Sequence, residues 1–202
     1  MSTIYTIGHS VHEISYFISL LKKYDIDLVL DVRSTPFSKY APQFNKEVLR
    51  ETLGDNNIQY TFLGDSFGAR QKDASLYAED DILDFCKVLN SERFNETLNQ
   101  VIDNINGANM ALMCSEKEPI DCHRSILISR AFKDKGIEVN HILGNGKIET
   151  QNGLENRLLE LYDFPTDYQP SLFSFSNDNE KVDYLDKAYK KRNKEIGYFK
   201  GE

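Results

Sequence analysis

The chain has 202 residues, with 24 Lys and Arg against 32 Asp and Glu and a formal net charge of −8. That length suits one α/β domain with a short appendage and is enough to bury a core without disulfide staples; the acidic balance argues against a general DNA- or membrane-coating protein but leaves room for a local basic patch. Three cysteines are too few for a disulfide-rich secreted scaffold, the start MSTIYTIGHS lacks the pattern of a signal peptide, and no run approaches a membrane span, so a soluble cytoplasmic chain with free thiols is expected.

Residues 3–7 form an apolar, β-rich run that ends in Gly8-His9-Ser10. Ser10 and Glu13 have the S-x-x-E spacing of a capping box, which predicts a helix from Val11 with Ile14, Phe17, Ile18 and Leu21 on its buried face. Residues 27–32 read as a second strand, apolar rather than alternating, as expected when both faces are buried. Pro36 and Pro42 keep residues 33–45 irregular, and Asn45 is placed to cap a helix over 46–53. A third strand is expected over 58–63. The polar stretch 64–77 reads as a loop, with Arg70, Gln71 and Lys72 more an exposed charged segment than a lid. Helices are expected over 80–89 and 91–105 and a fourth strand over 109–113. A turn containing Pro119 follows at 115–121, then a helix over 122–135 stopped by Gly136. A fifth strand over 138–143 and a helix over 154–162 complete the pattern. Residues 163–179, with Pro165, Pro170, Phe173 and Phe175, read as an extended strap, and 181–200 as a terminal helix.

Strands alternating with helices predict a three-layer, Rossmann-like α/β domain over 1–162, with a mostly parallel sheet of five or more strands; 163–202 add a strap and helix packed on the same domain. In such a sheet ligands bind beyond the carboxyl ends of the strands. The polar residues fall there: Gly8-His9-Ser10 after strand one, Asp31 and Arg33 after strand two, Gly64 and Asp65 after strand three, and Cys114-Ser115-Glu116 after strand four, with Cys122-His123-Arg124 opening the next helix.

Within this set Cys114 is the candidate nucleophile, because a thiolate is stabilised near a helix N-terminus, an Arg and a His. Glu116 and His123 are candidates to move protons. Arg33 and Arg124 suit bidentate binding of a phosphate or carboxylate, with Asp31 orienting Arg33. His9, Ser10 and Cys122 stand at helix starts, where backbone donors favour an anion. A metal site built from Cys114, Cys122 and His123, with His9 or His141 as a fourth ligand, is less favoured. The gap between the two cysteines is longer than a C-x2-4-C knuckle, and neighbouring residues such as Cys122 and His123 seldom face one ion. His141 and Cys86 read as core residues. The motifs G-x-G-x-x-G, G-x4-G-K-[ST], H-E-x-x-H and G-x-S-x-G are absent, which leaves the cofactor open.

Taken together, Tyr5-Thr6-Ile7-Gly8-His9-Ser10, Asp31-Val32-Arg33-Ser34 with Pro36, Pro42-Gln43-Phe44-Asn45, Leu63-Gly64, the Cys114-Ser115-Glu116 and Cys122-His123-Arg124 pair, and Gln169-Pro170-Ser171-Leu172-Phe173 resemble the family called domain of unknown function 488. The resemblance implies a compact α/β domain with a polar cluster of enzyme character and no settled reaction. Asp65-Ser66-Phe67-Gly68 departs from the more glycine-rich continuation the family leads one to expect. A weaker likeness to rhodaneses, in Asp31-Val32-Arg33 and Cys114, fails at the anion cradle, which needs an Arg six positions after its Cys, whereas Arg124 is ten after Cys114.

The expectation is an enzyme of hydrolase or transferase type that binds an anionic, phosphate- or nucleotide-like small molecule at the sheet edge. The alternatives are a nucleotide or nucleic-acid binding module, for which the seven Lys/Arg and three Asp/Glu of 181–200 supply a basic arm, and a Cys/His metal site. No membrane partner is expected, and the oligomeric state is open.

Overall fold

A computed structural model describes residues 2–166 and 177–201, with side chains for all of these except 177–183. Most of the expected strap, at 167–176, lies outside the described residues. Five parallel strands, β1 (Thr3–Gly8), β2 (Leu28–Asp31), β3 (Gln59–Phe62), β4 (Met110–Cys114) and β5 (Glu138–Ile142), join an antiparallel β6 (Ile148–Thr150) in the order β3-β2-β4-β1-β5-β6. The sheet is thus mostly parallel, as expected. β6 was not legible as a strand because it is three residues long and follows a tight turn at Gly146, φ +73°.

Side chains along each strand alternate between two cores, one on each face of the sheet. On one face, α1 (Ile14–Lys23) and α2 (Lys46–Asp55) bring Phe17, Leu21, Leu49 and Leu53 against Ile7, Val29, Ala111 and Met113. On the other, α3 (Gly64–Phe67), α4 (Phe85–Leu89), α5 (Glu92–Asn104), α6 (Arg130–Asp134), α7 (Gln151–Leu161) and α8 (Asn177–Ile196) surround Ile4, Leu30, Leu112 and Cys114. Helix α6 continues a wide-pitched π turn over Arg124–Ser129, all six residues of which are buried. The result is the three-layer Rossmann-like arrangement the alternation predicted. No helix among the described residues is long and apolar enough to cross a membrane.

Several boundaries differ from expectation. The capping box does not form: Ser10 takes a left-handed φ of 46° and donates its N–H to the Ser115 carbonyl, so α1 begins at Ile14 behind Glu13. Asn45 sits at the start of α2, but its side-chain oxygen accepts from Ser38 N instead of capping. Residues 80–83 are not helical; Leu83 N–H and Lys200 N–H exchange bonds with the carbonyls of Tyr198 and Asp81, an unreadable pairing of the chain's end with a loop. In α8, Ala188 and Tyr189 are buried in the same core as α7.

The connection after β1 leaves on the α1 face, whereas that after β4 leaves on the α6 face, and β4 lies between β1 and β2. Divergent connections open a crevice at the carboxyl end of β4, where ligands settle in open α/β sheets. Cys114 is the last residue of β4.

Candidate functional site

Gly8 and Gly64 let the site close. A Cβ on Gly8 would sit 2.0 Å from the Glu116 carbonyl oxygen, and one on Gly64 would sit 2.0 Å from that of Arg33. The loop after β4 therefore crosses directly over the end of β1, pinned by His9 N–H to the Cys114 carbonyl and Ser10 N–H to the Ser115 carbonyl, both 2.9 Å. Behind it Arg124, wholly buried, donates to the carbonyls of Glu116 at 2.7 Å and Lys117 at 3.3 Å. Arg124 thus braces the loop from within and does not line the crevice, unlike the anion-holding role expected for it. Ser10 likewise acts through its backbone.

Four side chains meet at the end of β4. Cys114 Sγ donates to Glu116 Oε2 at 2.7 Å, and Cys122 Sγ lies 3.2 Å from the same oxygen. His123 Nδ1 lies 3.8 Å from both sulfurs, while its Nε2 donates to the Val32 carbonyl at 3.1 Å. The four ligand-capable atoms all lie within 4.8 Å of one another. Neighbouring Cys122 and His123 do face one point, because the backbone turns from extended at Cys122 (φ −130°, ψ 138°) to helical at His123 (φ −58°, ψ −27°). Alternation of side chains holds only within one regular conformation, and the junction breaks it.

Electrostatics divides the two thiols. Burial pushes the Cys114 thiol well up, and the neighbouring Cys122 and Glu116 charges add to this. Burial also opposes ionisation of Cys122, but the Cys114 hydrogen bond, Arg124 and His123 outweigh it and hold Cys122 down. His123 is raised against its burial by the negative charge at Cys122. Glu116 is raised, first by burial and then by Cys122. These charges favour a thiolate at Cys122 over one at Cys114.

Opposite this cluster stands Arg33, 4% exposed. Its Nε and Nη2 bind the two Asp31 carboxylate oxygens at 2.9 and 2.7 Å, and Tyr60 Oη donates to Asp31 at 2.7 Å. Arg33 Nη1 reaches His9 Nε2 at 3.1 Å. Asp31 and His9 are thus positioning groups that aim one guanidinium, as expected for Asp31. Between Arg33 and the cluster lies a cavity of about 60 Å³, also lined by Ser34, Thr35, Arg70 and Tyr198. That is room for a few waters or one phosphate- or carboxylate-sized group. A larger groove, about 320 Å³ beside β5, has no cysteine, histidine or arginine in its lining.

Tyr198 was missed as a site residue, and Arg70, read as part of an exposed charged segment, is exposed but also lines the cavity. Arg70 N–H donates to Ser34 Oγ at 2.8 Å and its guanidinium lies 4.2 Å from the centre of the Tyr198 ring. The signal for Arg70 was its place in a long charged loop, which the structure closes onto Ser34 at Gly68, where a Cβ would meet Ser34 Oγ at 2.5 Å; nothing local marks Tyr198, which arrives from a segment remote in sequence. His141 is a satisfied core residue as expected, bonded to Thr6 Oγ1 and Gln151 Oε1 at 2.8 Å each. Cys86 is half-buried, away from the site. The cations of α8 are partly engaged within the fold: Arg192 donates to the Ile120 carbonyl and pairs with Asp121 and Glu195, and Lys191 lies over the Tyr162 and Phe164 rings.

A family model described as Domain of unknown function DUF488 matches residues 13–131, a span that includes Asp31, Arg33 and the whole Cys114–Arg124 segment. No curated protein and no solved structure matches the chain.

Proposed function

The chain belongs to the DUF488 family, and from its site we propose an enzyme that draws a small anionic group, phosphate or carboxylate, into the cavity at the end of β4 and performs hydrolysis or group transfer on it. One observation supports this above the others: a fixed guanidinium, Arg33, faces the Cys114 thiol, the Glu116 carboxylate and the His123 imidazole across a cavity of about 60 Å³, with Cys122 behind them. A buried, pre-aimed cation with unspent donor capacity suits an anion more than a structural role alone.

Arg33 supplies the charge, Arg70 supplies a second charge at the mouth, and Ser34 and Thr35 supply hydroxyls. Cys114, Glu116 and His123 line the reactive wall; Cys114 Sγ or a water held there attacks the phosphorus or acyl carbon, the bond to the ester oxygen breaks, and Glu116 takes the nucleophile's proton and gives it to the departing alcohol. The cavity admits the anionic head of a substrate, so the rest of a nucleotide-like molecule would lie outside, over Arg70 and Tyr198. Three free cysteines, two of them buried together, suit a reducing cytoplasm.

Inorganic phosphate, acetate and a panel of phosphate monoesters and acyl esters test the proposal. Phosphate or acetate should raise the melting temperature, and Arg70→Ala should weaken that binding about tenfold while the unliganded protein melts as before. Absence of any anion effect at low ionic strength, together with no turnover across the panel, would overturn it.

A further inference from the structure

The geometry points to a divalent-metal site, zinc foremost, held by Cys114, Cys122 and His123, with Glu116 in the fourth position on the cavity side. It concerns the same cavity as the proposed enzyme and rests on that reading only for the use of the fourth position.

The distances fit. Zinc bonds of ~2.3 Å to sulfur and ~2.0–2.1 Å to nitrogen at a tetrahedral angle place sulfur and nitrogen roughly 3.6 Å apart. His123 Nδ1 is 3.8 Å from each sulfur. The same construction asks for roughly 3.5 Å between sulfur and a carboxylate oxygen. Glu116 Oε2 is closer, at 2.7 and 3.2 Å, because it now accepts from the thiols. Of the four groups Glu116 alone is partly exposed, so it can swing outward to the required distance, and later give way to water or an anion. Three fixed ligands and an exchangeable fourth is the pattern of a catalytic rather than a structural zinc.

Supporting contacts agree. A metal-binding imidazole typically commits its other nitrogen to a carbonyl or carboxylate, which fixes the ring. His123 does this with the Val32 carbonyl at 3.1 Å. The charge also balances. Two thiolates, a carboxylate and a dication sum to one negative charge. Arg124, fully buried behind the loop, makes no ion pair with a carboxylate among the described residues, and its Nε has no partner. A buried cation of this kind is costly unless an opposite charge lies near. Soft sulfur with imidazole and one carboxylate favours zinc over magnesium or calcium. On loading, the protons still held by the thiols pass to solvent, and the metal accepts the sulfur lone pairs with no change of oxidation state.

The full chain, stripped with a chelator under reducing conditions, is titrated with Zn2+ and, separately, with Co2+. We expect about one metal per chain, and for Co2+ a thiolate charge-transfer band with the intense visible bands of a tetrahedral ion. Cys122→Ser should weaken binding about 100-fold or more, Glu116→Gln by about tenfold or less, and Cys86→Ser not at all. Circular dichroism shows whether each variant is folded; should Cys122→Ser unfold, the charge-transfer intensity of the folded parent still counts its thiolate ligands. A stoichiometry far below one, or a cobalt spectrum without thiolate bands, overturns the metal site. Phosphate binding by the stripped protein separates the two proposals. If it persists without any metal uptake, the anion enzyme stands with a thiol as nucleophile and the metal site falls. If the metal binds tightly and no anion does, the metal site stands and the proposed enzyme falls.

Discussion

His9 Nε2 accepts from Arg33 Nη1 at 3.1 Å, and this single contact fixes the state of the ring. The other nitrogen, Nδ1, lies 2.7 Å from the Ser10 carbonyl, which can only accept, so Nδ1 bears the proton and Nε2 the lone pair. Stacking on Phe44, with ring centres 4.2 Å apart, holds the plane. His9→Leu keeps an apolar body against Phe44 but removes the acceptor. A hydrogen bond to a charged group contributes about 1.5–3 kcal/mol, so Arg33 should lose its aim and phosphate affinity should fall about tenfold or more. Calorimetric titration measures it; unchanged affinity would mean that Asp31 alone positions Arg33.

Asp31 and Arg33 form a buried pair, and the two ways of weakening it differ in size. Asp31→Asn leaves a guanidinium in a nearly dry site without its counter-charge, which costs about 3–5 kcal/mol. Tyr60→Phe removes only one donor to Asp31 and should cost about 1 kcal/mol. Urea unfolding of both variants checks the ranking. Equal losses would show that the pair is far more solvated than its 4% and 0% exposures imply.

Two buried histidines make the fold sensitive to acid. Burial, chiefly, pushes His141 down to about 3 and His9 down to about 4 from the ordinary 6.5. Above pH 6.5 both are neutral in the folded and the unfolded chain, and their contribution is complete. As pH falls, the unfolded chain takes up protons that the folded chain refuses. Each residue then removes about 1.4 kcal/mol of stability per pH unit until its folded value is reached. Stability between pH 6.5 and 4.5 should therefore fall more steeply in the parent than in His141→Gln, and the difference of slopes should be about 1.4 kcal/mol per unit. Parallel slopes would mean that His141 opens to solvent before the fold is lost.

Two glycines that look alike in sequence should behave differently. Gly136 ends α6 at φ +78° with nothing within 4 Å of an added Cβ, so Gly136→Ala costs about 1–2 kcal/mol of backbone strain and leaves the site intact. Gly8 has an ordinary backbone, but a Cβ there would lie 2.0 Å from the Glu116 carbonyl oxygen. Gly8→Ala must displace the loop that leaves β4 at Cys114 and bears Glu116, at a cost of about 1–3 kcal/mol or more. Phosphate and metal binding should be lost in Gly8→Ala and kept in Gly136→Ala; retention by both would show that the loop gives way without moving its side chains.

Much of this architecture was readable because local pattern and tertiary role agreed. The apolar runs at β2 and β4 carry no polar residue until their carboxyl ends, so the convergence of Asp31, Arg33 and Cys114 followed from a parallel sheet alone. What failed depended on contacts remote in sequence. Ser10 has the spacing of a cap, yet its N–H is taken by Ser115 and its backbone turns left-handed. Arg124 has the chemistry of an anion ligand, yet the buried loop carbonyls claim it. Cys122 and His123 converge because of a change of backbone conformation between them, which residue spacing does not encode.

Tyr198 is the sharpest case, and its role can be tested directly. The segment after α8 pairs with the 81–83 loop through Tyr198 carbonyl to Leu83 N–H at 3.0 Å and Lys200 N–H to Asp81 carbonyl at 2.9 Å. The backbone bonds hold this segment whatever side chain stands at 198, so Tyr198→Ala should remain folded. It removes the ring beneath the Arg70 guanidinium. Cation–π contacts contribute about 0.5–2 kcal/mol, so phosphate affinity should fall about threefold and by no more than the roughly tenfold that Arg70 itself supplies. Tyr198→Phe keeps the ring and should restore most of that affinity. In Arg70→Ala, replacing Tyr198 by Ala should have little further effect, since the two act through one contact. Full additivity of the two losses would show that Tyr198 touches the anion itself and does not act by positioning Arg70.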